Sequence, residues 1–116
     1  MMSDKELLEL SAKAAGIKAL WSPDGVLRDC TNGHPAQNIY SAPPWNPLTD
    51  DGDALRLAVK LHINIEIWNV DTLIGANIYL MGRGHGYFQE RYTTDPYAAT
   101  RRAIVRAAAE IGKEKK

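Results

Sequence analysis

Apolar positions recur at helical spacing in three parts of the chain. Leu7, Leu8, Leu10, Ala14 and Ala15 make one stripe, with Lys5, Glu9 and Lys13 on the polar side. Ser3 or Asp4 can cap this helix, Glu6 falls where an acidic group meets unpaired N–H groups, and Gly16 suits the left-handed end. A second stripe, over residues 50–61, carries Ala54, Leu57, Ala58 and Leu61, and Leu55 and Val59 widen it. Its breadth predicts packing against a sheet. Thr49 or Asp50 is the expected N-cap, with Asp53 completing a short capping box. The third helix starts at Asp95-Pro96, with Tyr97, Ile104, Ala108 and Ile111 expected inward and Gly112 as its stop.

Between the helices the period changes to two. Ile63-Asn64-Ile65-Glu66-Ile67-Trp68 alternates strictly, which predicts a strand with the three Ile on a buried face. Residues 69–75 are expected to turn the chain. Residues 77–81 and 87–92 read as an antiparallel hairpin around a flexible loop, Gly82-Arg83-Gly84-His85-Gly86. Nearer the N-terminus, residues 17–21 and 26–28 flank the turn Ser22-Pro23-Asp24-Gly25. The stretch from Asp29 to Pro47 is expected to be loop, and its length makes it a candidate for binding. The order of elements predicts an α+β protein, a single-domain α/β sandwich over residues 1–116 whose small, mostly antiparallel sheet is packed by helices.

A chain of 116 residues can bury one core and does not need a metal or disulfide to fold. Lys+Arg and Asp+Glu both number 14, so no net charge draws the chain to nucleic acid or an anionic membrane. The same balance leaves little repulsion between copies and favours self-association. Cys30 is alone, which excludes an internal disulfide and fits a reducing compartment. No run approaches the roughly 20 apolar residues of a spanning helix, and the first residues do not resemble a secretion signal. These features place the protein in the cytoplasm.

Candidate chemistry is sparse. Asp50, Asp51 and Asp53 have the oxygens for Mg²⁺ or Ca²⁺ but no EF-hand spacing, and helix capping accounts for the same residues without an ion. The Gly82–Gly86 loop has backbone N–H groups for a phosphate, with Arg83 and His85 beside them, yet it lacks the rest of a P-loop. Arg101, Arg102 and Arg106 line the last helix as either a phosphate-binding face or a solvated, salt-bridged one with Glu110. Cys30 and His34 are four apart but have no orienting third residue, and His62 reads as a helix C-terminal residue. Trp45, between Pro44 and Pro47, and Tyr40 offer aromatic surface; Trp45 is either an exposed anchor or a plug for the sheet. No catalytic set, cofactor site or metal site is assigned.

Residues 45–61, from Trp45-Asn46-Pro47-Leu48-Thr49-Asp50-Asp51-Gly52-Asp53 through Leu61, together with residues 99–112, resemble the small phage and prophage proteins grouped as the phage ABA sandwich domain. The first helix fits the same pattern. The resemblance implies an α/β sandwich with helices on its sheet and an origin in a phage or prophage, acting inside a bacterial host. It carries no catalytic residues onto this chain.

The expected function is therefore a small accessory protein, non-enzymatic, that binds a host or phage protein and can form homo-oligomers. Its partner-binding candidates are Trp45, Tyr40, Arg83, His85, Arg102 and Arg106. The second expectation is nucleotide or nucleic-acid binding through Arg83, His85 and the arginine face. A third is a small hydrolase, which requires Asp50, Asp53, His34 and His85 to converge.

Overall fold

The longest helix, α3 (Pro96–Glu114), is the element on which the others are assembled. The computed structural model describes residues 2–32, 38–68, 73–80, 84–91 and 95–115. Asp95 caps α3 by accepting from the Ala98 N–H at 3.0 Å, and Pro96 occupies its first turn. Ala103, Ile104, Val105, Ala107, Ala108 and Ala109 are all buried, so most of the helix circumference is covered. One side lies on the main sheet; the others hold α1 (Asp4–Ala15) and α2 (Asp51–Leu61).

The alanines of α3 let α1 come close, and Gly112 brings it closest. A Cβ at Gly112 would stand 2.0 Å from the Leu10 carbonyl oxygen. Gly112 therefore does not stop the helix, which continues to Glu114. Glycine inside a helix costs about 1 kcal/mol relative to alanine, and here the contact with α1 requires it. Beyond it, Lys115 donates from Nζ to the Lys13 and Ala14 carbonyls at 3.3 and 3.1 Å, placing a cation at the negative end of α1.

Both shorter helices take their predicted N-caps, but Asp53 does not complete a capping box at α2, because its carboxylate accepts from the Asn46 N–H and the Asp50 N–H donates to the Asn46 carbonyl. Ser3 and Glu6 form a capping box at α1, and Gly16 ends it with φ 72°. Asp50 accepts from the Asp53 N–H at 2.8 Å, while His62 closes α2 in the left-handed region. The α2 stripe behaves differently from expectation. Ala54, Leu57 and Ala58 are buried, but they pack on α3 and α1 instead of a sheet, and Leu55 and Val59 remain exposed.

The main sheet runs β3 (Asn64–Trp68), β4 (Leu73–Leu80), β5 (Gly84–Arg91) in that spatial order, antiparallel throughout. β4 starts at Leu73, within the expected turn, because Leu73 and Ile74 pair with Arg91 and Glu90. β5 starts at Gly84, so His85 and Gly86 belong to the ladder and not to a flexible loop. The helices gather on the face bearing Ile74, Ala76 and Phe88. On the opposite face Tyr87, Gln89 and Arg91 are exposed, and the Tyr87 ring covers Gly75, where a Cβ would meet the Tyr87 Oη at 2.4 Å.

A second sheet pairs β1 (Ala19–Trp21) with β2 (Leu27–Asp29). Trp21 ties it to α1 by donating from Nε1 to Glu9 at 2.8 Å. Residues 43–45, expected to be irregular, run beside β2: the Asp29 N–H donates to the Pro43 carbonyl and the Trp45 N–H to the Leu27 carbonyl, each at 2.9 Å. Arg28 fastens this arrangement by donating to the Ala42 carbonyl at 3.0 Å and to Ser22 Oγ at 3.1 Å. The Ser22 hydroxyl beside Asp24 is the main cause holding that carboxyl below its usual range. Among the described residues no helix is long and apolar enough to cross a membrane.

Candidate functional site

Strand order leaves β3 at an edge of the sheet. It pairs with β4 on one side and, among the described residues, with nothing on the other. Of the three Ile expected to be buried, Ile63 is, Ile65 is partly covered, and Ile67 is 70% exposed. The cause is positional: α3 lies over β4 and β5, and among the described residues no helix packs extensively on β3.

Two apolar side chains left exposed on the neighbouring helices, Leu55 and Tyr97, line a groove at this edge. Leu55 of α2 is 60% exposed and Val59, one turn on, is 67% exposed. Tyr97, expected inward, stands in the first turn of α3 and is 69% exposed. Leu55, Ile65, Ile67, Pro96, Tyr97 and Ile104 line a groove of about 320 Å³ between α2, β3 and the start of α3. On its rim Asp51 and Arg101 pair at 2.6 Å, which neutralises the charges nearest the groove. Contiguous exposed apolar side chains of this kind mark a surface suited to another apolar surface. The α2 stripe held the signal: Leu55 and Val59 make it wider than a single neighbouring helix can cover.

The residues predicted as binding groups are placed elsewhere. Trp45 is only 6% exposed and belongs to the hydrophobic core, so its burial fits a plug and not an exposed anchor. Tyr40 is exposed, with the Arg28 guanidinium 5.3 Å from its ring centre. Arg106 is ion-paired with Glu90 and donates to the Gln89 carbonyl at 2.9 Å; Arg102 pairs with Asp4 at 3.1 Å. Glu110, the expected partner of Arg106, pairs with Lys113 at 3.6 Å. Arg83 and His34 lie outside the described residues, as does the His85 side chain. The Arg106 contact at Glu90 and the start of β5 at Gly84 are at opposite ends of the strand, about 20 Å apart at about 3.3 Å per residue.

The acidic cluster is fully engaged. Asp50 caps α2, Asp51 pairs with Arg101, and Asp53 accepts from the Asn46 N–H at 3.0 Å and from Arg56 at 2.7 Å. Among the described residues no group of three or more His, Cys, Asp and Glu is arranged to hold a metal ion. Asp53 and Arg56 also line a more polar cleft of about 470 Å³, with Asp29, Thr31 and Lys60 on its walls. Cys30, directly after β2, is buried.

No family model, no curated protein and no solved structure matches this chain.

Proposed function

We propose that this chain is a protein-binding module whose binding face is the flank made by β3, α2 and the start of α3. The observation that carries the reading is the meeting of Leu55, Ile67 and Tyr97, all more than half exposed, in one groove beside β3, one of the two edge strands of the main sheet among the described residues. Burying a side chain of this size contributes about 1.5–3 kcal/mol, so a partner covering several of them gains enough to offset the cost of association. Formal neutrality adds to this, since a neutral protein meets little long-range repulsion. The arginines of α3 are held in ion pairs, which favours protein over nucleic acid as the partner. The resemblance to phage ABA sandwich proteins supports a phage or prophage setting, with a host or phage protein on this face.

The reading is tested by photo-crosslinking in bacterial cells. A photoreactive residue is placed at Val59 or Tyr97, and at Gln89 or Arg91 on the open sheet face for comparison. Protein adducts at the first pair and not at the second are expected. Adducts at neither pair, or equally at both, contradict it.

A further inference from the structure

We propose that the occupant of this face is a second copy of the chain, joined through β3 about a twofold axis. The inference rests on the reading of the flank as a protein-binding face and names what binds there.

Among the described residues the outer edge of β3 is uncovered, and the strand lacks two of the usual protections. Its ladder with β4 is unbroken, and Asn64-Ile65-Glu66-Ile67 contains no Pro and no Lys. Its sequence is also self-complementary in an antiparallel register centred on the strand. An axis at Ile65 sets Ile65 against its own copy, Asn64 against Glu66, and Ile63 against Ile67. An axis at Glu66 would set two carboxylates directly opposite each other, which is unfavourable.

The helical layer agrees with that register. A twofold axis normal to the sheet leaves the helices of both copies on the same side, so the two α2 helices come together across the seam. Leu55 of that helix and Ile67 of β3 are exposed and line the same groove, and Val59 is exposed one turn further along α2. Both layers are thus apolar at the same edge, and one contact covers both. The result is a six-stranded antiparallel sheet in the order β5-β4-β3-β3-β4-β5. With 14 basic and 14 acidic residues, no net repulsion opposes it.

The test is sedimentation velocity over a concentration series, with circular dichroism to confirm that each variant is folded. The wild-type chain is expected to be a dimer. Ile67→Lys and Val59→Glu, both at exposed positions, are each expected to raise its dissociation constant about tenfold or more. Gln89→Lys, on the open sheet face, is expected to leave it unchanged. Oxidation of a mixture of Asn64→Cys and Glu66→Cys chains is expected to link unlike chains in preference to like ones. A monomer at every concentration, a dimer indifferent to Ile67→Lys and Val59→Glu, or no preference in the cysteine mixture overturns the inference. A monomer that still crosslinks another protein through Val59 ends self-pairing alone. A monomer with no adduct there ends the protein-binding reading as well.

Discussion

Arg101 of α3 reaches Asp51 in the first turn of α2, with 2.6 Å between Nη1 and Oδ1, while its Nε donates to the Leu48 carbonyl at 2.8 Å. One guanidinium thus joins two helices and the turn that leads into α2. It also sets the rim of the apolar groove, because Tyr97 lies one turn before Arg101 on α3 and Leu55 one turn after Asp51 on α2.

Arg101→Met is expected to lower stability by about 1–2 kcal/mol, through the lost hydrogen bond to Leu48 and the lost ion pair. Asp51→Asn is expected to cost less, under about 1 kcal/mol, because Asp51 is largely exposed and its charge is screened. Urea unfolding of both variants and of the double variant measures the difference. Equal costs for the two would show that the Leu48 contact contributes nothing.

Gly112→Ala is expected to destabilise by about 1–3 kcal/mol despite the better helix propensity of alanine. The new methyl group must displace α1 at Leu10. Gly16→Ala meets no atom within 4 Å, so its expected cost of about 1–2 kcal/mol comes from the left-handed backbone at φ 72° alone. Crystal structures of the two variants separate these causes: a shift of α1 is expected for Gly112→Ala only.

Trp45→Ala is expected to cost about 3–5 kcal/mol in folding stability, as the loss of a buried aromatic ring does. Tyr97→Ala, at an exposed position, is expected to change the stability of the isolated chain by no more than about 0.5 kcal/mol. Thermal unfolding at low concentration checks both. The reverse ranking would move the binding face from Tyr97 back to Trp45.

How far these features are legible in the sequence depends on how local their causes are. Ser3 with Glu6, Asp50, Asp95-Pro96 and Gly16 act on their own helix ends, and each takes the role its sequence predicts, whereas the Asp53 carboxylate turns to the Asn46 N–H instead of closing a capping box with Asp50. The α+β class follows from the order of periods along the chain. Gly112 is different: within its own helix it reads as a stop, and only the approach of Leu10 explains why the helix passes through it. Tyr97, Leu55 and Val59 read as core because their spacing is apolar. Periodicity shows which side of an element is apolar but not whether anything covers it, and that depends on which strand ends at the sheet edge. The arginines of α3 likewise find Asp4, Asp51 and Glu90, all distant in sequence.

The hairpin β1–β2 is expected to depend on pH through Asp24. Its carboxyl is held below the usual value of about 3.9, first by the Ser22 hydroxyl, so the ionised form is favoured in the folded state. Its contribution to stability is therefore present above about pH 4 and is lost as the pH falls through the lower, folded value. The stability difference between wild type and Asp24→Asn, followed from neutral pH downward, should shrink below about pH 4. A difference that grows on acidification would contradict the assignment.

Whether the free edge of β3 is covered in solution is measured most directly by amide hydrogen exchange of Asn64 through Trp68 in the purified chain at high and low concentration. Strand pairing to a second copy predicts protection of consecutive amides along β3, including those that point away from β4, and loss of the outward set on dilution. Outward amides that exchange at unprotected rates at every concentration would contradict it.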